Sequence, residues 1–407
     1  MLQTHYKVVE FTRNSKVCRK YVFGAGEHTL TEPIELDDFD CIQGDTRSTT
    51  VLKVKGSFPG PFIRTKNLKQ NCEQKNWFHH EGVPVRFSIQ NLTIDLEEWT
   101  PEKDSYDFNY ASLSFCAIGL YGKSFLVNNL TVLNAPGTAL ISIGPNKGGQ
   151  KTVYLDAPEA KLSDIEITNT IGDGIVFAGP HDSMLDNLII SRSRKKGVSI
   201  IADQYVNGAC DIGFIHAYAT DDIAIDISAK VKARFLQADT GKGGGIKLHD
   251  NAMSVVDMIE VFKTRRNGKA SNMENYGLIV DTIEAQIGLA RIRADAGADG
   301  VLLSGAGNTI SNLHITAGKM HENFKHLDKG NAPKALVLNG HANAIIHGRI
   351  IKAQIQPIHT IKRDGEKYFN GNFSIDYSSL PENTLLFSKG GFVESSIVIN
   401  NKPYSGV

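Results

Sequence analysis

Long apolar runs are missing from this chain: no segment reaches the roughly 20 consecutive apolar residues that a membrane-spanning helix requires. Cysteine is sparse and scattered, at Cys18, Cys41, Cys72, Cys116 and Cys210. An odd number with no close pair argues against a disulfide framework or a structural zinc site and leaves free thiols. An excess of one charge is lacking as well, because 44 basic and 44 acidic side chains cancel. A dedicated nucleic-acid binder, whose affinity comes largely from phosphate neutralisation, is therefore not expected. The first residues, "MLQTHYKVVEFTRNSKVCRK", have neither the apolar centre nor the cleavage site of a secretory leader. The expectation is a protein that works where it is made, leaves by a route needing no leader, or has had its leader removed.

Extended amphipathic segments with a 3.6-residue period are absent too, which removes helical repeats. What is present is a recurring unit: a short apolar strand, a polar turn, then a small residue followed by three or four mostly apolar ones. The small anchors open "GTALISIG" at Gly137, "GIVFAG" at Gly174, "GVSIIA" at Gly197 and "AIDIS" at Ala224. They continue with "GIKLHD" at Gly245, "GLIVD" at Gly277, "GVLLSG" at Gly300 and "ALVLNG" at Ala335. Companion runs such as "NNLTVLN", "SDIEITN", "DNLIISR" and "SNLHITA" precede them. The shorter steps between anchors cluster in the low twenties, and the longer ones fit the same unit with a loop inserted. The runs are rich in Val, Ile and Thr, and lack the fixed leucine and asparagine pattern of leucine-rich repeats.

This predicts an all-β fold, a parallel β-helix with two or three strands per coil and coils stacked about 4.8 Å apart. Asn129, Asn187 and Asn312 fit turn positions where asparagine tolerates left-handed geometry. The expected organisation is an N-terminal cap over 1–22, a β-helix over 23–364 with inserted loops, and a C-terminal cap or oligomerisation segment over 365–407.

The anchors, together with the opening "GEHTLTEPIEL…IQGDTRSTTVLKV", resemble the pectin-lyase-like superfamily of right-handed parallel β-helix proteins. Polysaccharide lyases, polygalacturonases, epimerases, fructotransferases and phage tailspike depolymerases belong to it. The likeness covers roughly residues 20–360 and is architectural. It implies a carbohydrate partner, usually an acidic polysaccharide, bound along a groove outside the coils. It also implies work outside the cell or on a virion, and, as in tailspikes, a homotrimer.

If the anchors stack, equivalent positions form columns. One holds Asp173, Lys195 and Lys196, Asp221 and Asp222, Lys242 and Asp299. A second holds Ser199, Asp226, Lys247, Ile279 and Leu302. The third holds Ser228, His249, Asp281, Ser304 and Asn339. Polar residues at alternate positions of an apolar strand face outward. Their concentration in the middle coils, with Ala139, Val176 and Leu302 apolar toward the ends, points to a site.

Three chemistries fit that site. "TDDIAIDI" resembles the double aspartate of polygalacturonases, and "NTIGDG" loosely resembles their Asn-Thr-Asp-Gly, which implies Asp173, Asp221 and Asp222 as acid and base. Two coils would set Asp173 roughly 9.6 Å from Asp222. That is near the upper end of the about 6.5–9.5 Å of an inverting hydrolase. Against this, "GKGGG" stands where those enzymes have Gly-His-Gly. The second chemistry is β-elimination from a uronate, which needs a cation, a base and an acid. Lys242, Lys247 and His249 beside Asp226 and Asp281 supply those types, with Asp281 placed to hold the imidazole tautomer. Some lyases of the superfamily bind calcium, and Asp221, Asp222 and Asp226 are a candidate Ca2+ set. The third is epimerisation or intramolecular transfer. A non-catalytic, glycan-binding or structural β-helix is the rival, since Asp221-Asp222 alone also suits a solvated turn.

Inserted loops add substrate-binding candidates: Trp99 and Tyr106 as sugar-stacking or loop-plugging aromatics, Arg265 and Arg266 as carboxylate clamps, and Lys196 in the groove. The expected function is a depolymerase for an acidic polysaccharide, acting by β-elimination or hydrolysis.

Overall fold

The computed structural model describes residues 6–73, 83–102, 107–108, 111–112, 115–143, 159–202, 210–250, 253–262, 264, 276–293, 298–316, 335–338, 340–351, 358–360, 369–378, 396–399 and 402–403. They divide into two units, Met1–Ile215 and His216–Val407. Among the described residues no helix is long and apolar enough to cross a membrane.

In the first unit, an antiparallel hairpin of Tyr6–Arg13 and Lys16–Phe23 leads into parallel pairing of its second strand with Cys41–Gln43. One parallel ladder then runs through Ser88–Asp95, Leu126–Ala135, Lys161–Thr170 and Ser183–Ser193. The other runs through Ile34–Leu36, Ile63–Thr65, Ile118–Leu120, Leu140–Ile143, Ile175–Ala178 and Val198–Ile201. Successive strands alternate between the two ladders, so each coil of chain contributes one strand to each. That is a parallel β-helix.

The second unit repeats the plan. Ile223–Ile227, Gly244–Asp250, Tyr276–Ile283, Asp299–Ala306, Leu336–Leu338 and Ile358–Thr360 form one parallel ladder. Val231–Asp239, Val255–Phe262, Gln286–Arg293, Thr309–Thr316, Gly340–Ile351 and Phe369–Ser378 form the other.

The core follows from the pleat. Ile225, Ile246, Leu278, Val301 and Leu336 stack in one inward column. Ile227, Leu248, Val280, Leu303 and Leu338 stack in the next inward column. All ten are buried, and each such side chain contributes about 1.5–3 kcal/mol of burial. The anchors are small because coils meet there. A Cβ on Gly245 would sit 2.2 Å from the Gly277 carbonyl oxygen, and one on Gly300 2.2 Å from that of Ala335.

Two expectations need correction. Leu140 pairs with Ile175, and Ile141 with Val176. The anchor of that coil is therefore Ala139, and Ile141 takes the column position expected for Ala139. Asn129 and Asn187 have φ of 51° and 52°. Asn312 instead lies in the ladder opposite Leu289 and His347, outside the left-handed set.

Candidate active site

In Ile223–Ile227 the apolar side chains leave one carboxylate, Asp226, on the outward face. Register places Asp226 beside Lys247, Lys247 beside Ile279, and Ile279 beside Leu302. His249 lies beside Asp281, and Asp281 beside Ser304. The expected register therefore holds for Asp226, Lys247, Ile279 and Leu302 in the second column and for His249, Asp281 and Ser304 in the third. Farther along, Ile279 and Leu302 join Tyr276 and Val337 in a buried apolar cluster, so the second column turns apolar there while Asp281 and Ser304 keep the third polar.

Asp226 is 7% exposed. A carboxylate that deep is tolerated only with a charged or hydrogen-bonding partner. His249 Nε2 lies at ion-pair distance, 2.8 Å from Asp226 Oδ1, but without the geometry of a hydrogen bond to that oxygen. The other ring nitrogen, Nδ1, lies 2.7 Å from Oδ2 of Asp250, whose side chain is 69% exposed. Asp250, at φ 60°, closes the strand. The imidazole is thus held between a buried and an exposed carboxylate.

Lys247, half-buried on the same face, has no carboxylate within ion-pair distance among the described residues. It is a cation on the outward face, next to Asp226 in register. Asp281, expected to orient His249, instead accepts a 2.6 Å hydrogen bond from Ser304 Oγ. The ring is oriented by Asp226 and Asp250, the latter a residue that column reasoning missed. Its signal was adjacency: strand residues alternate faces, but a left-handed residue at the strand end escapes that rule.

The remaining candidates separate from this cluster. Lys242 Nζ is 2.5 Å from Asp221 Oδ1. Asp222 accepts the Ile223 amide at 2.8 Å, and its carbonyl accepts from Thr220 Oγ1. These acids shape the turn that opens the strand. Asp173 belongs to the first unit, where its Oδ1 accepts the Lys196 amide at 2.8 Å. Asp221, Asp222 and Asp226 do not fit a calcium site, because Lys242, the Ile223 amide and His249 engage their carboxylates separately. No group of three or more metal-ligating side chains converges among the described residues. Trp99 is 4% exposed and stacks on Phe58 at 5.2 Å, so its ring faces are covered. Tyr106, Arg265, Arg266 and Asn339 lie outside the described residues.

No protein-family model and no curated protein matches the chain. Solved structures do. The A-modules of the mannuronan C-5 epimerases AlgE6 and AlgE4 of Azotobacter vinelandii both align with TM-score 0.51, at 12% and 13% identity. They cover 94% and 93% of this chain and 90% of each module. The fold is a right-handed parallel β-helix. A catalytic domain of a GH87 α-1,3-glucanase in complex with nigerose is also similar, with TM-score 0.47 and 12% identity over 94% of this chain. The chain spans 60% of that glucanase chain. These β-helix neighbours are carbohydrate-active enzymes, a hydrolase and epimerases.

Proposed function

We propose that this β-helix is an enzyme acting on a uronate-containing polysaccharide by removing the C5 proton, with β-elimination as the reaction. One observation carries the reading: a buried Asp226 lies at ion-pair distance from His249 and beside Lys247, a cation without an ion-pair partner among the described residues. Lys247 pairs with the substrate carboxylate and stabilises the negative charge that develops on it. His249, with Asp226 at ion-pair distance on its Nε2 side, takes the C5 proton at Nδ1 once substrate displaces the exposed Asp250, and Asp226 is the counter-charge of the imidazolium that forms. The C4–O4 bond breaks as the C4=C5 double bond forms, and the imidazolium returns its proton to the departing O4. Hydrolysis is less well served, because Asp221, Asp222 and Asp226 are each engaged within the protein.

C5 epimerisation, the activity named for the AlgE modules, shares the proton removal but needs a further proton donor on the opposite face of C5. The test is incubation with a panel of uronate polysaccharides. Ultraviolet absorbance from an unsaturated uronate end marks elimination. Solvent deuterium at C5 without chain shortening marks epimerisation, and reducing ends without absorbance mark hydrolysis. No change in any polymer leaves a glycan-binding β-helix. A homotrimer acting outside the cell or on a virion belongs to the same proposal, and light scattering of the purified chain tests the assembly.

A further inference from the structure

The first unit begins on an open sheet edge. Tyr6–Arg13 is paired along one side, from Tyr6 opposite Phe23 to Arg13 opposite Lys16, and among the described residues it has no strand on the other. Seven of its eight residues are exposed. Both ends are nonetheless fixed. The Tyr6 ring stacks on Phe23 at 4.9 Å, and the Arg13 guanidinium lies 4.5 Å over the Phe39 ring. The edge is therefore formed before anything pairs with it, which lowers the entropic cost of pairing.

Sheet edges and solenoid ends are ordinarily kept single by a polar cap, a short strand, a proline or a bulge. This edge has none of these. It runs eight residues without proline, and its register with Lys16–Phe23 is unbroken. Val8, Val9 and Phe11, with Val17 on the neighbouring strand, are 39–66% exposed. They are four of the ten large apolar side chains exposed among the described residues, so such surface is gathered on this hairpin. The charges on the strand, Lys7, Glu10 and Arg13, decide which pairing it accepts.

We infer that this edge pairs antiparallel with the same edge of a second copy, about a two-fold axis at Val9. Two identical edges that continue one sheet are related by an axis normal to it, which leaves every side chain on its own face. Facing residues then differ by an even number, and one residue faces its own copy. An axis at Lys7 or Glu10 sets like charges opposite each other, which is destabilising. At Val8 or Phe11 only five residues of the strand find partners. At Val9 seven do: Val9 faces its own copy, Val8 faces Glu10, Lys7 faces Phe11 and Tyr6 faces Thr12. The centre is then apolar, no like charges face each other, and each Lys7 ammonium is set against a Phe11 ring, a favourable cation–π pairing. A foreign strand uses the same hydrogen-bonding edge; the self-matching register is what selects a second copy. No group of the proposed active site takes part. Because the contact is two-fold, it doubles the mass of whatever assembly exists without it, a homotrimer included.

Light scattering and sedimentation of the full chain at about 1–100 μM test the contact, with circular dichroism checking each fold. Val9→Lys and Val9→Glu each set like charges at the axis. Either substitution alone is expected to weaken pairing by at least about tenfold and to halve the mass. An equimolar mixture of the two variants restores the doubled mass, because residue 9 then faces an opposite charge. A parent with the mass of Val9→Lys throughout that range, a Val9→Lys variant that keeps the parental mass, or a mixture that stays at the halved mass would each overturn the inference.

Discussion

His249 Nε2 and Asp226 Oδ1 lie 2.8 Å apart, although 23 residues and one coil separate them in the chain. The contact exists because the two side chains stand on adjacent stacked strands in neighbouring columns. It sets a buried carboxylate, which alone would be costly, as a counter-charge beside an imidazole at the surface. Lys247 stands between them in register, beside Asp226 and two residues before His249 on the same face.

If Lys247 meets the substrate carboxylate, Lys247→Ala weakens binding of a uronate polymer and leaves unchanged the binding of the same polymer with its carboxyl groups reduced, which has no acidified C5 proton and is not cleaved. Calorimetry with the two polymers checks the binding. Steady-state kinetics on the uronate show kcat/KM falling by about tenfold to hundredfold, the weight of one charged hydrogen bond.

Close approach of the coils sets the stability predictions. Gly245→Ala drives a Cβ to 2.2 Å from a carbonyl oxygen and 2.7 Å from Val261 Cγ1. It costs about 1–3 kcal/mol through overpacking. At Gly24 nothing lies within 4 Å of the added carbon, so Gly24→Ala is the neutral control. Thermal midpoints of the two variants against the parent give the comparison.

Asn129 combines φ of 51° with an amide hydrogen bond to Asn91 at 2.9 Å. Asn129→Ala loses the bond and places a Cβ in left-handed backbone, about 1–2 kcal/mol for the conformation alone. Asn129→Gly loses only the bond, so it is the milder change in a urea titration.

The repeat, the two-ladder coil and the outward columns were legible because each rests on periodicity, which parallel stacking turns directly into adjacency. Asp226 beside Lys247 and His249 beside Asp281 came from that rule alone. Three details did not. Gly137 and Ala139 are both small, and the anchor fell on the second; Gly137 is tight for another reason, with an added Cβ 2.1 Å from the Phe115 carbonyl oxygen. His249 turned toward Asp226 and Asp250, a rotamer choice that no column records. Asp221 and Asp222, the most conspicuous pair in the sequence, went to a salt bridge and a turn.

Cys116 and Cys210 are fully buried, and burial pushes both thiols well above their ordinary range. Neither reacts with a thiol reagent in the native protein, whereas half-exposed Cys41 does, and unfolding releases Cys116 and Cys210. The sign follows: the neutral thiol is retained on folding, so its contribution is intact below the unfolded value of about 8.5. As pH rises beyond it, the unfolded chain forms thiolate and the native one does not. Stability then falls by about 1.4 kcal/mol per pH unit per thiol. Denaturation midpoints from pH 8 upward measure it.

The most direct measurement is the initial rate of unsaturated-uronate formation on an acidic polysaccharide, for the parent, Asp226→Asn and His249→Ala, with circular dichroism confirming the fold of each. The account predicts a measurable parental rate and a loss of about 10²–10⁴-fold in both variants, the usual weight of a general acid–base group. Near-parental rates in both variants would contradict it.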